Sequence, residues 1–383
     1  MYGSIIYYLK SMKILYVSSV VNHHQAYFVK ELYEIFPDNV WYAALETYEQ
    51  RRKMMCFPEF EEKWIIDITK NRTLFNSLFI EADIVLCHDY NFYPQMKERL
   101  AKDKITFYFS ERWFKPPYGK IRLLRPYMLK LWYEFYRMSK SPCFFYLSQG
   151  EYAAADFRTI GVCPMRMFNF GYVTSIQQNP TTEYLLPQGK INILWCGRML
   201  AWKKVENLVQ AFIRVSKIRS DIHLTLVGKG ECEKKVLKLI SGYEDVITHQ
   251  DFLPTKKVRS LMNQADVYVL SSSGTEGWGV VVNEAMAEGC AIIGSNQAGS
   301  IKTMIKDKVN GLVLYRNDVD EIEEKLLYLI DNPIELKRLK YMSLDSIQEW
   351  SPENVCSRFV QVVDAINNNK LFDLYREGPF KSL

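Results

Sequence analysis

Short apolar runs alternate with amphipathic stretches along almost the whole chain, and this alternation limits the fold more than any single motif. Lys13-Ile-Leu-Tyr-Val-Ser18 reads as a buried strand. Asn22-His23-His24-Gln25 follows as a polar loop, then a helical stretch with Phe28, Val29, Leu32 and Ile35 on one face. Strand, loop and helix in that order open a Rossmann-type βαβ unit. Val40-Trp-Tyr-Ala-Ala, Trp64-Ile-Ile-Asp-Ile, Ala82-Asp-Ile-Val-Leu-Cys87, Ile105-Thr-Phe-Tyr-Phe109 and Cys143-Phe-Phe-Tyr-Leu147 repeat the strand signal. Continuous apolar runs belong to strands covered on both faces, hence to a parallel sheet. This predicts a doubly wound domain over 1–173.

Residues 174–190 turn polar and irregular and read as an interdomain linker. A second series then starts afresh over 191–350. Its strands are Ile191–Cys196, His223–Gly228, Val267–Leu270 and Ala291–Gly294, and its helices Val205–Arg219, Cys232–Ile240, Lys256–Met262 and Glu321 to about Ile330. Ser351-Pro352-Glu353 places an N-cap before proline at the first helical position. The helix it opens is expected to run to about Asn367, within a segment 351–383 that crosses back to the first domain. The expected fold class is α/β, two Rossmann-like doubly wound domains facing across a cleft, with ligands at the carboxyl ends of the strands.

One stretch concentrates the chemistry. After Val267–Leu270 comes Gly274-Thr-Glu-Gly-Trp-Gly-Val-Val-Val-Asn-Glu-Ala-Met-Ala-Glu-Gly289. Gly277 and Gly279 bracket Trp278, Val280 onward reads as a helix, and Gly289 ends it. A glycine turn entering a helix aims backbone N–H groups and the positive end of the helix dipole at one point, which suits an anion. Glu276 and Glu284 flank that point and suit the hydroxyls of a sugar. Taken on spacing alone, a loop glutamate and a solvated helix glutamate are the usual fate of such residues. Gly197-Arg198 and Lys203-Lys204 stand between a strand end and the next helix, where two cations would neutralise a diphosphate.

Composition removes several classes. With 48% hydrophobic and 24% charged residues, the 383-residue chain is globular, and its net charge of +5 is too small to argue for nucleic acid. Eight cysteines show no Cys-x-x-Cys spacing, so zinc is not expected and reduced thiols in the cytoplasm are. No apolar run approaches the roughly 18 residues of a membrane span. Ser4–Leu9 is too short for a signal peptide, and Met12 serves as well as Met1 for a start. Asp318-Val-Asp320 opens a helix, where Asp is cap and first-turn residue, so no metal is assigned. Gly228-Lys-Gly230 lacks the third glycine of a dinucleotide fingerprint, which argues against NAD.

The segments Gly197-Arg-Met-Leu-Ala-Trp-Lys203, Val227-Gly-Lys-Gly230, Glu276 to Ala287 and Asp307-Lys-Val-Asn-Gly311-Leu-Val resemble the retaining glycosyltransferases of GT-B fold often called family 4. The resemblance is dense over about 190 to 320 and thin over 12 to 173. It implies that Glu284 holds the ribose hydroxyls, Glu276 contacts the donor sugar, and the turn Gly277, Trp278, Gly279, Val280 lies against sugar and phosphate. Arg198 and Lys203 would stabilise the departing diphosphate. The donor would be a UDP- or GDP-sugar, with no other cofactor. Two positions depart from the family: Ala298-Gly299-Ser300 replaces a frequent Gly-Gly, and Lys204 stands where glycine commonly follows the lysine. A UDP-sugar epimerase of GT-B fold and a silent sugar-nucleotide-binding partner are the alternatives.

In the first domain, His23, His24, His88 with Asp89, and Glu111 with Arg112 follow predicted strands and are the candidates for a glycan or lipid-linked acceptor. Each is equally readable as a solvated side chain, a surface histidine pair or a loop carboxylate. From Tyr118 to Lys140 six Lys or Arg and one Glu mix with aromatic and aliphatic residues. Two readings stand: a basic helix lying on an anionic membrane, or a core-packing helix with a basic outer face. The first makes the protein peripheral at the inner face of the membrane, on a route of polysaccharide assembly.

Overall fold

The structure, a computed structural model, describes residues 11–45, 62–176, 185–368, 370 and 374–383. The stretch Ser4–Leu9 and residues 177–184 of the predicted linker lie outside them. Two compact units result. One comprises, among described residues, 11–45, 62–174 and the chain from Glu349 on; the other is Ser175–Gln348.

The first unit runs β1 Ile14–Ser18, α1 His23–Ile35, β2 Val40–Ala44, β3 Ile65–Asp67, α2 Arg72–Glu81, β4 Ile84–Cys87, α3 Tyr93–Ala101, β5 Ile105–Ser110, α4 Pro126–Met138, β6 Phe144–Gln149, α5 Glu151–Thr159 and β7 Met167–Phe170. Its seven strands are parallel in the order β3-β2-β1-β4-β5-β6-β7. Arg99 of α3 is fully buried and donates to the carbonyls of Phe79, Ala82 and Ile105 at 2.7–2.9 Å. The guanidinium thereby closes the polar ends of α2 and β5, and burial lowers its pKa to about 10.

The second unit runs β8 Ile191–Cys196, α6 Val205–Ser216, β9 Ile222–Val227, α7 Glu233–Ile240, β10 Ile247–Gln250, α8 Thr255–Gln264, β11 Val267–Leu270, α9 Val281–Ala287, β12 Ala291–Ser295, α10 Gly299–Met304, β13 Leu312–Leu314, α11 Val319–Asp331 and α12 Pro333–Ile347. Six parallel strands take the order β10-β9-β8-β11-β12-β13, the order of a Rossmann sheet. The chain then returns to the first unit as α13 Pro352–Asn367, whose Phe359 ring meets Phe28 of α1 edge-on at 5.6 Å. Beyond it, Phe380 and Lys381 exchange backbone hydrogen bonds with Asn169 of β7.

Three sequence expectations change. Asn22-His23-His24-Gln25 is not a loop: Asn22 caps α1 through the His24 N–H, and His23, His24 and Gln25 form its buried first turn. The stretch 118–140 is not one helix, because Pro126 starts α4 anew after a separate 3₁₀ turn, Gly119–Leu124. The 321–330 helix begins earlier, at Val319, with Asp318 as its cap.

Candidate functional site

Strand order explains why residues more than seventy positions apart meet. The chain leaves β8 toward β9 on one side and β11 continues toward β12 on the other, while β8 and β11 pair directly, Ile193 opposite Val267 and Leu194 opposite Tyr268. Their carboxyl ends form the point where strand order reverses, the place open α/β sheets use for ligands. The loop after β8 carries Arg198 and Lys203; the loop after β11 carries Glu276.

Lys203 and Glu276 form an ion pair there, with side chains only 12% and 10% exposed. Three further contacts hold it. Ser272 Oγ donates to the same carboxylate oxygen at 2.8 Å, Ser271 Oγ donates to the Lys203 carbonyl at 2.9 Å, and the Ser273 N–H donates to Trp202 O at 2.7 Å. Asn317 Nδ2 donates to the carbonyls of Ser271 and Ser272 at 2.8 and 3.2 Å. Glu321 in turn accepts the backbone N–H groups of Tyr315, Arg316 and Asn317 at 2.7–2.9 Å. The acid is therefore seated in a chain of bonds reaching as far as α11.

The glycine turn is fixed from its carbonyl side. Gly277 O accepts from Gly299 N at 3.0 Å, Trp278 O from Ser300 N at 2.8 Å, and Gly279 O from Val282 N and Ser300 Oγ. In a trans peptide the carbonyl and the following N–H point opposite ways. With those carbonyls turned toward Gly299 and Ser300, the N–H groups of Trp278, Gly279 and Val280 face away from them. Gly279 has φ +86°, and a Cβ there would stand 3.1 Å from Leu270 and 3.3 Å from Ser300 Oγ, so both conformation and space call for glycine. The Trp278 indole is fully buried and donates to Asn283 Oδ1 at 2.8 Å, which makes its side chain an anchor of α9.

Glu284 occupies the first turn of α9 and is 7% exposed, like Glu276. Both carboxylates act on Tyr268, whose phenol donates to Cys196 O at 3.1 Å and is held well above its ordinary pKa, first of all by burial. The Cys196 thiol is pushed up to about 12 by burial and the Glu284 charge, with Lys203 opposing. Glu276, Glu284 and Lys203 thus surround the β8 and β11 ends. Arg198 is half-buried in the turn after β8. Lys204 adopts the left-handed conformation, φ +49°, which accounts for glycine at that position in the resembling family. Ser300, the other departure, supplies a hydroxyl to the turn.

Tyr172 links two of the first-unit candidates, its ring 6.2 Å from that of His24 and its hydroxyl 3.4 Å from Glu111. His23 and His24 are 4% and 5% exposed, with ring centroids 3.6 Å apart. His88 Nδ1 lies 2.9 Å from Phe109 O, and its ring stacks on Phe109. Glu111 pairs with Lys115 at 3.0 Å and accepts from Tyr172 at 3.4 Å; the Arg112 guanidinium lies 4.6 Å over the Tyr152 ring. Asp89 caps the turn Tyr90–Phe92.

Sequence reasoning missed Ser272, Asn317, Glu321 and Tyr268. Ser271-Ser272-Ser273, directly after a buried strand, was the one available signal. A different grouping in the second unit, Glu233, His249 and Asp251, has ligand atoms within 4.8 Å of one another, but Lys229 already pairs with Asp251 at 2.8 Å. Asp318 spends a carboxylate oxygen on the Glu321 N–H.

Both units are Rossmann-like, the build of GT-B proteins. The crystal structure of Anabaena HepE in complex with UDP superposes with a TM-score of 0.70 over 92% of this chain and 100% of that one, at 12% identity. The model of the family described as glycosyl transferases group 1 matches residues 178–343. Over this region the chain is similar to that family. An uncharacterized glycosyltransferase of Haemophilus influenzae is 33% identical over 40% of this chain and 45% of its own. A GDP-mannose-dependent monoacylated alpha-(1-6)-phosphatidylinositol monomannoside mannosyltransferase of Corynebacterium glutamicum is 27% identical, over 44% of this chain and 46% of its own. The chain thus spans under half the length of these curated relatives.

Proposed function

We propose that this protein is a retaining, metal-independent glycosyltransferase that moves a sugar from a nucleotide-diphospho-sugar to a glycan or lipid-linked acceptor in cell-surface polysaccharide synthesis. The observation that carries this reading is the buried Lys203–Glu276 pair beside the Gly277–Val280 turn, with Glu284 a helical turn further on.

Transfer breaks the bond between the anomeric carbon and the diphosphate, so negative charge grows on the leaving oxygen. Fixed cations and N–H groups aimed there stabilise that charge most. Lys203 and Arg198 are the cations and the N–H groups of the glycine turn are the neutral donors. Lys203 is held by Glu276. A bound diphosphate would compete for the ammonium and release the Glu276 carboxylate to the hydroxyls of the donor sugar. Glu284 would accept from the ribose hydroxyls. This division of labour needs no metal at the diphosphate. HepE was crystallised with UDP, which supports a uridine donor; the corynebacterial relative's name points to GDP-mannose. His23, His24, His88, Glu111 and Arg112 remain the acceptor candidates.

Incubation with a panel of UDP- and GDP-sugars tests the reading. A transferase hydrolyses one donor slowly, with chelator present, and transfers when acceptor is supplied. An epimerase inverts a sugar carbon, and a binding partner leaves every donor intact. Lys203→Ala should lower turnover about 10²–10³-fold while the protein stays folded. Glu284→Ala should weaken donor binding. Wild-type behaviour in both variants would remove the assignment.

A further inference from the structure

We propose that the segment from Tyr118 to Lys140 docks the protein on an anionic lipid surface through the outer edge of the 3₁₀ turn Gly119–Leu124 and the outer face of α4. This proposal is independent of the transfer reaction.

The structure separates the two readings that the sequence left open. One face of α4 does pack: Leu131, Phe135 and Met138 are buried, and Phe135 lies edge-on to Tyr108 at 4.5 Å. That accounts for the inner side chains and leaves the outer ones to explain. In a 3₁₀ turn, residues three apart lie above one another. Tyr118, Ile121 and Leu124 have that spacing and are 55%, 66% and 78% exposed, so three large apolar side chains form one outward stripe. On α4, Leu129 and Tyr133 are four apart, share a face, and are 49% and 53% exposed. Among the described residues, six of the sixteen exposed large hydrophobics fall between 118 and 133. Scattered single residues would need no account; a concentrated patch does.

Charge identifies the occupant. Lys120, Arg125, Lys130, Arg137 and Lys140 are exposed around these side chains. Some lie directly over aromatic rings, Arg125 at 5.8 Å from the Tyr118 centroid and Lys140 at 4.3 Å from that of Tyr136. The one acid, Glu134, keeps only 15% of its side chain exposed. A second copy docking on this face would set cations against cations, and protein interface cores are depleted in lysine. A surface of anionic headgroups over acyl chains satisfies both demands. Headgroups pair with Lys and Arg, and Ile121 and Leu124 enter the boundary beneath.

Co-sedimentation of the full chain with phosphatidylglycerol-containing and with pure phosphatidylcholine vesicles tests this, circular dichroism reporting the fold. The wild type should pellet with the anionic vesicles, less so at high salt, and stay in solution with the neutral ones. Ile121→Glu with Leu124→Glu should lower partitioning roughly tenfold or more, since it removes apolar insertion and adds like charge to the lipid. Lys234→Gln with Lys238→Gln, an equal charge change on the exposed face of α7, should leave it unchanged. A wild type that ignores anionic vesicles at low salt overturns the proposal. So does equal loss in both double variants, or a dimer that Ile121→Glu with Leu124→Glu converts to monomer.

Discussion

After β8 and β9 the second unit turns on backbone. A Cβ added at Gly228 would stand 2.1 Å from the Gly197 carbonyl, and one at Gly230 would stand 2.5 Å from that of Met199. After β1 and β5 the first unit turns on aromatic side chains. The Tyr42 hydroxyl meets Ser18 Oγ at 2.8 Å and receives the Asn22 N–H at 3.1 Å; Tyr146 OH and the Trp113 indole converge on Ser110 Oγ at 3.0 and 3.1 Å. The same sheet architecture therefore ends in two kinds of loop. Close-packed backbone allows little variation, because a single Cβ fills the space a neighbouring carbonyl needs. Phenols and indoles spanning a wider gap can be exchanged for others of similar size. In the proposed function, the first solution would serve a constant diphosphate and the second would serve differing acceptors.

The sharpest break of this comparison is Gly228→Ala. Its φ of +122° and the 2.1 Å approach leave no room for a methyl group, so a loss of about 3 kcal/mol or more is expected in denaturant unfolding. A loss below about 1 kcal/mol would show that the backbone loops are as forgiving as the aromatic ones.

Next in size is a pH effect confined to the second unit. His223 on β9 is 4% exposed, lies 3.1 Å from Thr248 Oγ1, and burial lowers its pKa from 6.5 to about 4. The unfolded chain binds this proton first, so the contribution is fully present above pH 6.5 and is lost as the pH falls toward about 4. The expected loss is up to about 3 kcal/mol. Hydrogen exchange resolved by unit should show it among the β9 amides, and His223→Gln should flatten the profile. An unchanged pH profile in that variant would remove the assignment.

Tyr42→Phe tests the first unit's solution. It leaves Ser18 Oγ and the Asn22 N–H without that hydroxyl, at a cost of about 1–2 kcal/mol with the fold intact. A larger loss would make the aromatic loops as intolerant as the glycine ones. The smallest effect is a gain: Lys204→Gly relieves a left-handed residue and should stabilise by about 0.5 kcal/mol in thermal unfolding. Destabilisation there would mean that the Lys204 side chain does more than cover the turn.

Much of the second unit was readable residue by residue because its constraints are local. Ile191–Cys196 and Val267–Leu270 were predicted with the bounds that the structure gives them, since buried parallel strands are plain apolar runs. Elements with a weak or short apolar signal escaped: β10 reads Ile-Thr-His-Gln, β13 has three residues, and β7, interrupted by Asn169, and α12 are not distinguished from their flanks. In the first unit His23 and His24 misled, because a polar pair beside an N-cap is written the same whether it faces water or the interior.

What the chain's sequence determined alone is the alternation that makes two parallel sheets and the glycine turn that follows β11, both consequences of spacing along the backbone. Tertiary structure decided which side chains meet. Pairing of β8 with β11 brings Lys203 to Glu276, and folding α11 back over the sheet places Asn317 on Ser271 and Ser272. No local propensity encodes those contacts, because each depends on strand order, and strand order follows from how the whole apolar surface is buried.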